Sequence, residues 1–368
     1  MRIGIITLNG YFNYGNRLQN YALHYALKKL NDRIKVDTIW YGQNNSLLDN
    51  DFNTAKFVRR YLFNRHGFRN YINKRKYLQE GIREYNIKKF SEKFIDTVFV
   101  DSVDSVKNDY DFFISGSDQI WNPHWVEGYA EFLAFADPGK RISYAASFGV
   151  NEVMPEKESL FKSYLEGMDY ISVRESAGAD IVKKLTGREA QVLIDPTLLL
   201  SRDEWRAISS RPNWYKGEKY LLVFFLNGLS EATRHKIESI AAAENMKIID
   251  LLDENQFELY TTSPEEFLFT VEHASLIFTD SFHGTVFSII MGVPFVNFGR
   301  KDMDMNSRID TLLSLVGLEC RRAVEDGDMP KNLFATDYSE AWKRIEKERE
   351  KSLKFLCQAL NLAGDGND

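Results

Sequence analysis

Ala274-Ser275-Leu276-Ile277-Phe278-Thr279-Asp280-Ser281-Phe282-His283-Gly284-Thr285-Val286-Phe287-Ser288-Ile289-Ile290-Met291 is the stretch that decides the fold. Its first residues form a short apolar run that reads as a buried parallel strand, and Val286 to Met291 reads as the start of a buried helix. A polar knot between them falls at the carboxyl end of a sheet, where open α/β sheets take their ligands. A helix start offers free N–H groups and a positive dipole end, which suit an anion such as phosphate. Ser281, His283, Gly284 and Thr285 are therefore candidate ligand contacts. His283 is placed for a phosphorylated substrate, and Gly284 lets the backbone come close to it. The competing reading makes Ser281 a helix cap and His283 a packed polar residue.

The same rhythm extends in both directions. On the carboxyl-terminal side of a polar stretch, Ser209 to Lys219, come a strand (Tyr220 to Leu226), a helix (Glu231 to Glu244), a strand (Lys247 to Leu251), a helix (Pro264 to His273) and the stretch above. A strand at Val293 to Asn297 follows it. In the first half, strands are expected at Ile3 to Leu8, Ile34 to Tyr41, Tyr110 to Ile114, Ile142 to Ala146, Tyr170 to Val173 and Gln191 to Ile194, with a helix at Arg17 to Leu30. This alternation predicts an α/β fold. Two Rossmann-like domains, 1–195 and 196–338, face each other across a cleft, and an amphipathic helix at 339–362 packs back on the first domain by analogy with such folds. The tail from Gly364 to Asp368 is expected to fray.

The totals narrow the function. A length of 368 residues suits two domains, and a hydrophobic share of 44% is enough for real cores. The net charge of −6 argues against nucleic-acid binding by bulk electrostatics. Two cysteines, Cys320 and Cys357, give neither a disulfide framework nor a metal-ligand spacing, which fits a reducing cytoplasm. Met1 to Leu8 is too short and strand-like for a signal peptide, and no run of about 18 apolar residues suggests a membrane span. One segment breaks the α/β rhythm. Lys56 to Lys93 carries twelve Lys/Arg against three Glu, a net +9 that leaves −15 for the rest of the chain, with aromatics interleaved. It reads as a helical insertion at 52–96. Its basic face either docks on an anionic membrane or phosphorylated lipid carrier, or is a solvated face whose aromatics pack on the domain.

Other strand ends carry candidate chemistry. Asn9 to Asn20 precedes the first helix with two Gly and several Asn, and Asn13, Gly15 and Asn16 make a plausible ligand cradle. It is not GxGxxG, so a nicotinamide or flavin cofactor is unsupported. Ser115 to Pro123 puts Asp118 and Gln119 at a strand end, and Asp118 either works as general acid or base or caps a turn. Small residues from Ser143 to Gly149 either admit a ligand or serve strand packing. Arg174, just past a strand, suits phosphate or carboxylate, or pairs with Glu175 in a surface or capping arrangement. Asp195-Pro196-Thr197 turns the chain into the linker. Arg300 and Arg308 follow the last strand and are further cations for an anion.

Taken in order, Asn13-Tyr14-Gly15-Asn16, Gly116-Ser117-Asp118-Gln119-Ile120-Trp121, Ser143 to Gly149, Ser172-Val173-Arg174-Glu175, Asp195-Pro196-Thr197 and Asp280-Ser281-Phe282-His283-Gly284 make the chain resemble the polysaccharide pyruvyl transferase family over residues 1 to about 320. The resemblance implies a GT-B-like pair of domains, the first on the acceptor side and the second on the donor side. It implies transfer of pyruvyl from phosphoenolpyruvate to two sugar hydroxyls, forming a ketal, with no cofactor and no metal. His283 matches the family's histidine at the donor, Arg174 its donor-binding arginine, and Asp118 an acidic position for proton transfer. Many members have Arg two residues before that histidine. This chain has Ser281, so Arg300 or Arg308 must supply the charge, or donor use differs. The implied partners are phosphoenolpyruvate and a sugar or lipid-linked oligosaccharide, and the basic insertion adds an expected contact with the cytoplasmic face of a membrane. The rival readings are a GT-B glycosyltransferase using a nucleotide sugar and a non-catalytic glycan-assembly protein.

Overall fold

A computed structural model describes residues 1–11, 13–42, 68–299, 306–323 and 329–362, leaving the side chains of 68–74 aside. Residues 52–67 of the expected insertion, Arg300, and the tail from Gly364 lie outside the described residues.

The first domain begins with β1 (Arg2–Ile6), α1 (Tyr14–Leu30) and β2 (Lys35–Tyr41), and continues through a long helix, α2 (Phe68–Phe94), to β3 (Thr97–Val100). Next come β4 (Phe112–Gly116), β5 (Arg141–Tyr144), α3 (Pro155–Glu166), β6 (Ser172–Val173), α4 (Ser176–Thr186) and β7 (Gln191–Val192). Its sheet has the order β3-β2-β1-β4-β5 with every pair parallel. β6 and β7 form a small parallel pair, joined to β5 only by single bridges. A 3₁₀ turn at Pro196–Leu199 and α5 (Arg202–Arg206) lead into the second domain. There β8 (Tyr220–Phe224), α6 (Glu231–Ala243), β9 (Lys247–Asp250), α7 (Phe257–Tyr260), α8 (Pro264–Glu272), β10 (Leu276–Thr279), α9 (Phe282–Met291), β11 (Phe295–Phe298), α10 (Ser307–Val316) and β12 (Arg322–Ala323) give a second sheet in the order β12-β11-β10-β8-β9. That sheet is parallel as well. Strands such as β8, buried at all five positions, read as continuous apolar runs because helices cover both faces. These are two Rossmann-like domains.

Each sheet reverses its strand order once, between β1 and β4 in the first and between β8 and β10 in the second. Loops diverge at such a switch point and leave a crevice at the carboxyl ends of the strands. Asn16 and Asp118 flank one crevice, and His283 flanks the other.

The domains share a core. Trp205, fully buried in α5, packs between Tyr21 of the first domain and Phe287 of the second, at ring distances of 5.6 and 4.9 Å. Two helices are also exchanged. The last helix, α11 (Ser339–Ala359), leaves the second domain and reaches back: Lys351 donates to the Val192 carbonyl at 2.9 Å, and Phe355 meets Tyr170 edge-on. In the other direction, α2 lies along the second domain. Arg75, Gln79 and Asn86 donate to the carbonyls of Asn255, Glu254 and Thr261, while Lys76 and Lys93 pair with Glu254 and Glu265. Arg83, nearly buried, donates to the Leu251 and Tyr260 carbonyls at 3.3 and 3.0 Å and lies over the ring of Tyr14. The described part of the basic insertion is thus an interdomain brace, with much of its charge spent on the second domain rather than offered as a free face. Among the described residues no helix is long and apolar enough to cross a membrane.

Arg83→Ala removes two charge-assisted hydrogen bonds and a cation–π contact. It is expected to cost about 2–4 kcal/mol of stability, measured by urea unfolding. A loss below about 0.5 kcal/mol would show that α2 does not brace the domains.

Candidate active site

The site is assembled from five strand ends, those of β1, β4, β6, β7 and β10. After β1, Asn13 caps α1 by accepting from the Gly15 N–H at 2.9 Å, which sets the first helical turn at the mouth of the cleft. A Cβ on Gly15 would lie 2.0 Å from Nδ1 of His283, so only glycine lets α1 come this close to the imidazole of the other domain. After β4 the chain reaches Asp118 in a left-handed conformation, φ 56°. Its two oxygens face Arg174 and Asn16, each at 3.4 Å. After β10, Ser281 caps α9 by accepting from the Gly284 N–H, which puts His283 in the first helical turn.

These groups meet on Asp195, which follows β7 and is 1% exposed. Its Oδ2 lies 2.6 Å from Nη1 of Arg174 and 3.6 Å from Nε2 of His283, and accepts from the Ser117 hydroxyl at 3.3 Å. Its Oδ1 accepts from the Thr197 amide and hydroxyl at 3.0 and 2.6 Å. Burial alone would raise the Asp195 pKa. His283, Arg174 and the Thr197 hydroxyl outweigh it and hold the carboxyl well below the usual range. Asp118 follows the same logic: burial pushes it up, but Arg174, His283 and Arg308 pull it below its ordinary value. Burial disfavours the Arg174 cation, yet Asp195 and Asp118 raise its pKa, so it stays charged.

The other expected contacts divide. Arg308, at the start of α10, is buried, and its terminal nitrogens lie 3.2 and 3.3 Å from the side-chain amide of Gln119, whose oxygen is assigned to that side by the partners it faces. Arg174 and Arg308 both stand over the Phe282 ring, at 4.4 and 5.9 Å. Arg174, Asp195, Phe282 and Arg308 also line a cavity of about 320 Å³, walled by Leu198 and Leu312, which opens beside Arg174 rather than at His283. Gly284 serves packing: its close approach is to the Thr279 side chain and Phe224. The Thr285 hydroxyl donates back to the Ser281 carbonyl and accepts from Asn297.

Two buried carboxylates that the sequence placed in motifs, but not in the site, carry more than was expected of them. Asp195 read there only as a turn. It is indeed a local cap, but its second oxygen is taken by partners from distant segments. Glu175, fully buried, is no surface partner for Arg174. Its Oε1 accepts from the Ser147 hydroxyl and the amides of Phe148 and Gly149, holding the loop after β5. Gly149 in turn packs tightly on the Gln119 amide. The small residues from Ser147 to Gly149 are thus explained by this grip.

Comparison with known proteins adds the following. The family model described as polysaccharide pyruvyl transferase matches residues 13–302. No match is found among curated proteins. Among solved structures, the MnaA–UDP structure of S. aureus is similar at 10% identity, covering 99% of this chain and 98% of that one, with a TM-score of 0.49. The UDP-GlcNAc 2-epimerase of Neisseria meningitidis bound to UDP-GlcNAc gives 9% identity, coverage of 98% and 100%, and a TM-score of 0.46. The ADP-heptose LPS heptosyltransferase II of E. coli gives 10%, 95% and 99%, and 0.34. All three scores fall below 0.5 and decide nothing about this chain's substrate.

Asp195→Ala leaves Arg174 buried and short of its nearest acid, and is expected to cost about 3–5 kcal/mol at neutral pH. Because the native carboxyl is held below its ordinary 3.8, its contribution is full above that value and is lost as pH falls through the lower native value. The melting-temperature gap between wild type and Asp195→Asn is therefore expected to be constant from about pH 7 to 5 and to close only below about pH 4. A gap already closed at pH 5 would contradict the pairing.

Proposed function

We propose a reaction on the premise that the chain belongs to the polysaccharide pyruvyl transferase family and so is a transferase: it moves the pyruvyl group of phosphoenolpyruvate onto two hydroxyls of a sugar in a surface polysaccharide or its precursor, forming a pyruvate ketal. The observation that carries this reading is the convergence of Arg174 and His283, from opposite domains, on the Asp195 carboxylate with Asp118 alongside.

The donor carries a carboxylate and a phosphate, and the site offers two buried guanidiniums and an imidazole for them. Protonation of the donor's methylene carbon gives a cationic C2, which the first sugar hydroxyl attacks. The bond from C2 to the phosphate oxygen then breaks, phosphate leaves, and the second hydroxyl closes the ring. One acceptor proton balances the proton taken up at the methylene, and the other leaves with phosphate. Arg174 and Arg308 hold the donor's charge, and His283, oriented by Asp195, contacts the phosphate side. Asp118, kept ionised by its cationic neighbours, takes the proton of an acceptor hydroxyl. Ser281 caps a helix and supplies no charge, so Arg308 takes that part. The chemistry calls for no redox cofactor. The acceptor is a sugar or its lipid-linked form, the latter met at the inner face of a membrane by the basic segment Lys56 to Lys93.

Phosphate release from phosphoenolpyruvate in the presence of acceptor tests the assignment. His283→Ala and Arg174→Ala are expected to raise the donor KM at least about tenfold, the worth of one good polar contact. Asp118→Asn is expected to lower kcat by about 10²–10⁴ with little change in donor KM. Unchanged kinetics in all three variants would overturn the assignment. Stabilisation by a nucleotide sugar instead of phosphoenolpyruvate would replace it with glycosyl transfer.

A further inference from the structure

We infer that Arg17 marks an acceptor-side subsite for an anionic substituent, a carboxylate or a phosphate carried by the acceptor sugar. This rests on the pyruvyl-transfer reading for its place beside the acceptor hydroxyl, but not for the anion itself.

Arg17 lies in the first turn of α1, at the carboxyl end of β1, and is 1% exposed. Its Nε donates to Oδ1 of Asn16 at 2.8 Å and its Nη2 to the Leu8 carbonyl at 2.5 Å, while the guanidinium stands 5.6 Å from the Trp40 ring. Among the described residues no carboxylate comes within ion-pair distance of it, and its Nη1 donates to nothing. Arg174 and Arg321, also buried, are treated differently. Arg174 has two carboxylates, and Arg321 spends Nε and both terminal nitrogens on the carbonyls of Phe295, Asn332 and Leu333. Arg17 is instead a buried cation with no ion-pair partner, and burial depresses it to about 10 despite the pull of Tyr11 and Asp118. Such an arrangement costs free energy unless an anion completes it.

A second observation comes from the same loop. The Oδ1 of Asn9, next to the carbonyl that Arg17 holds, is buried without a hydrogen-bond partner. The end of β1 and the start of α1 thus offer an arginine nitrogen with no acceptor in the described chain and a buried acceptor with no donor, and the two do not satisfy each other. A ligand that brings both an anion and a hydroxyl satisfies them together, and an acidic or phosphorylated sugar is such a ligand. Tyr11 and Trp40, with ring centroids 4.8 Å apart, add an aromatic wall. Position links the subsite to the chemistry. Asn16 bridges Arg17 and Asp118, at 2.8 and 3.4 Å, so a sugar whose hydroxyl faces Asp118 presents a neighbouring substituent to Arg17.

Binding of methyl β-glucuronide, glucose 6-phosphate and neutral methyl β-glucoside is to be measured by ligand-observed NMR and thermal shift, each with and without phosphoenolpyruvate. The wild type is expected to bind one or both anionic sugars at least about tenfold tighter than the glucoside, a preference that identifies which anion is read. Arg17→Gln is expected to erase the preference, Arg17→Lys to retain part of it, and both to keep the response to phosphoenolpyruvate. A preference that survives in Arg17→Gln, or its absence in a wild type that binds phosphoenolpyruvate, would overturn the inference. So would loss of the phosphoenolpyruvate response in Arg17→Gln, which would move Arg17 to the donor. Should Arg17→Gln not fold, Arg17→Lys and Asn9→Ala decide: loss of sugar binding in Asn9→Ala with an intact melting temperature supports the subsite, and unchanged binding in both overturns it. A wild type that prefers the anionic sugars yet ignores phosphoenolpyruvate would contradict the proposed reaction and leave the subsite standing.

Discussion

The buried carboxylate of Asp195 is the constraint on which the site depends. It ends the first domain, receives Arg174 from a neighbouring strand end, and faces His283 from the second domain. A carboxylate stripped of water is tolerable only if it is compensated by charge and hydrogen bonds, and here both domains contribute to that compensation. The geometry of the candidate site and the domain arrangement are therefore one problem with one solution. Removing Asp195 would leave Arg174 without its closest counter-charge and His283 without an orienting partner.

The rest of the molecule keeps the two halves of that pairing in register. Gly15 allows α1 to touch the imidazole, Tyr14 next to it donates to the Thr262 carbonyl across the domain boundary, and Arg83 covers the Tyr14 ring. With α2 laid on the second domain and α11 laid on the first, opening the cleft would break contacts on both sides. The site is thus held by packed elements rather than by loops alone, which favours preorganised charge over charge gathered on binding.

The fold was legible because parallel strands buried on both faces leave continuous apolar runs, and nearly every strand core fell where such a run occurs. Boundaries moved where local chemistry intervened. The helix expected from Val286 begins at Phe282, because the Ser281 side chain caps it, and this shift is what brings His283 into the first turn. The strands expected at Tyr170 to Val173 and Gln191 to Ile194 shrink to two residues each, since they pair fully only with one another. Candidate residues at strand ends could be named, for polar residues at those positions are conspicuous against apolar runs. Asp195 and Glu175 could not. An Asp before Pro-Thr has the same signature whether it only caps a turn or also grips an arginine, and the partners that distinguish the two cases lie far away in sequence. For the basic segment, composition gave the charge but not its destination: several of its cations are answered by carbonyls and carboxylates of the other domain.

Ketal formation, as proposed, requires this cleft to bring phosphoenolpyruvate and a sugar diol together. The most direct measurement is the mass of the acceptor after incubation of the protein with phosphoenolpyruvate and a panel of free and lipid-linked sugars, beside the phosphate released. The account predicts an acceptor heavier by one ketal-linked pyruvyl group with an equal amount of phosphate. Phosphate release without acceptor gain, or acceptor gain only with a nucleotide sugar, would contradict it.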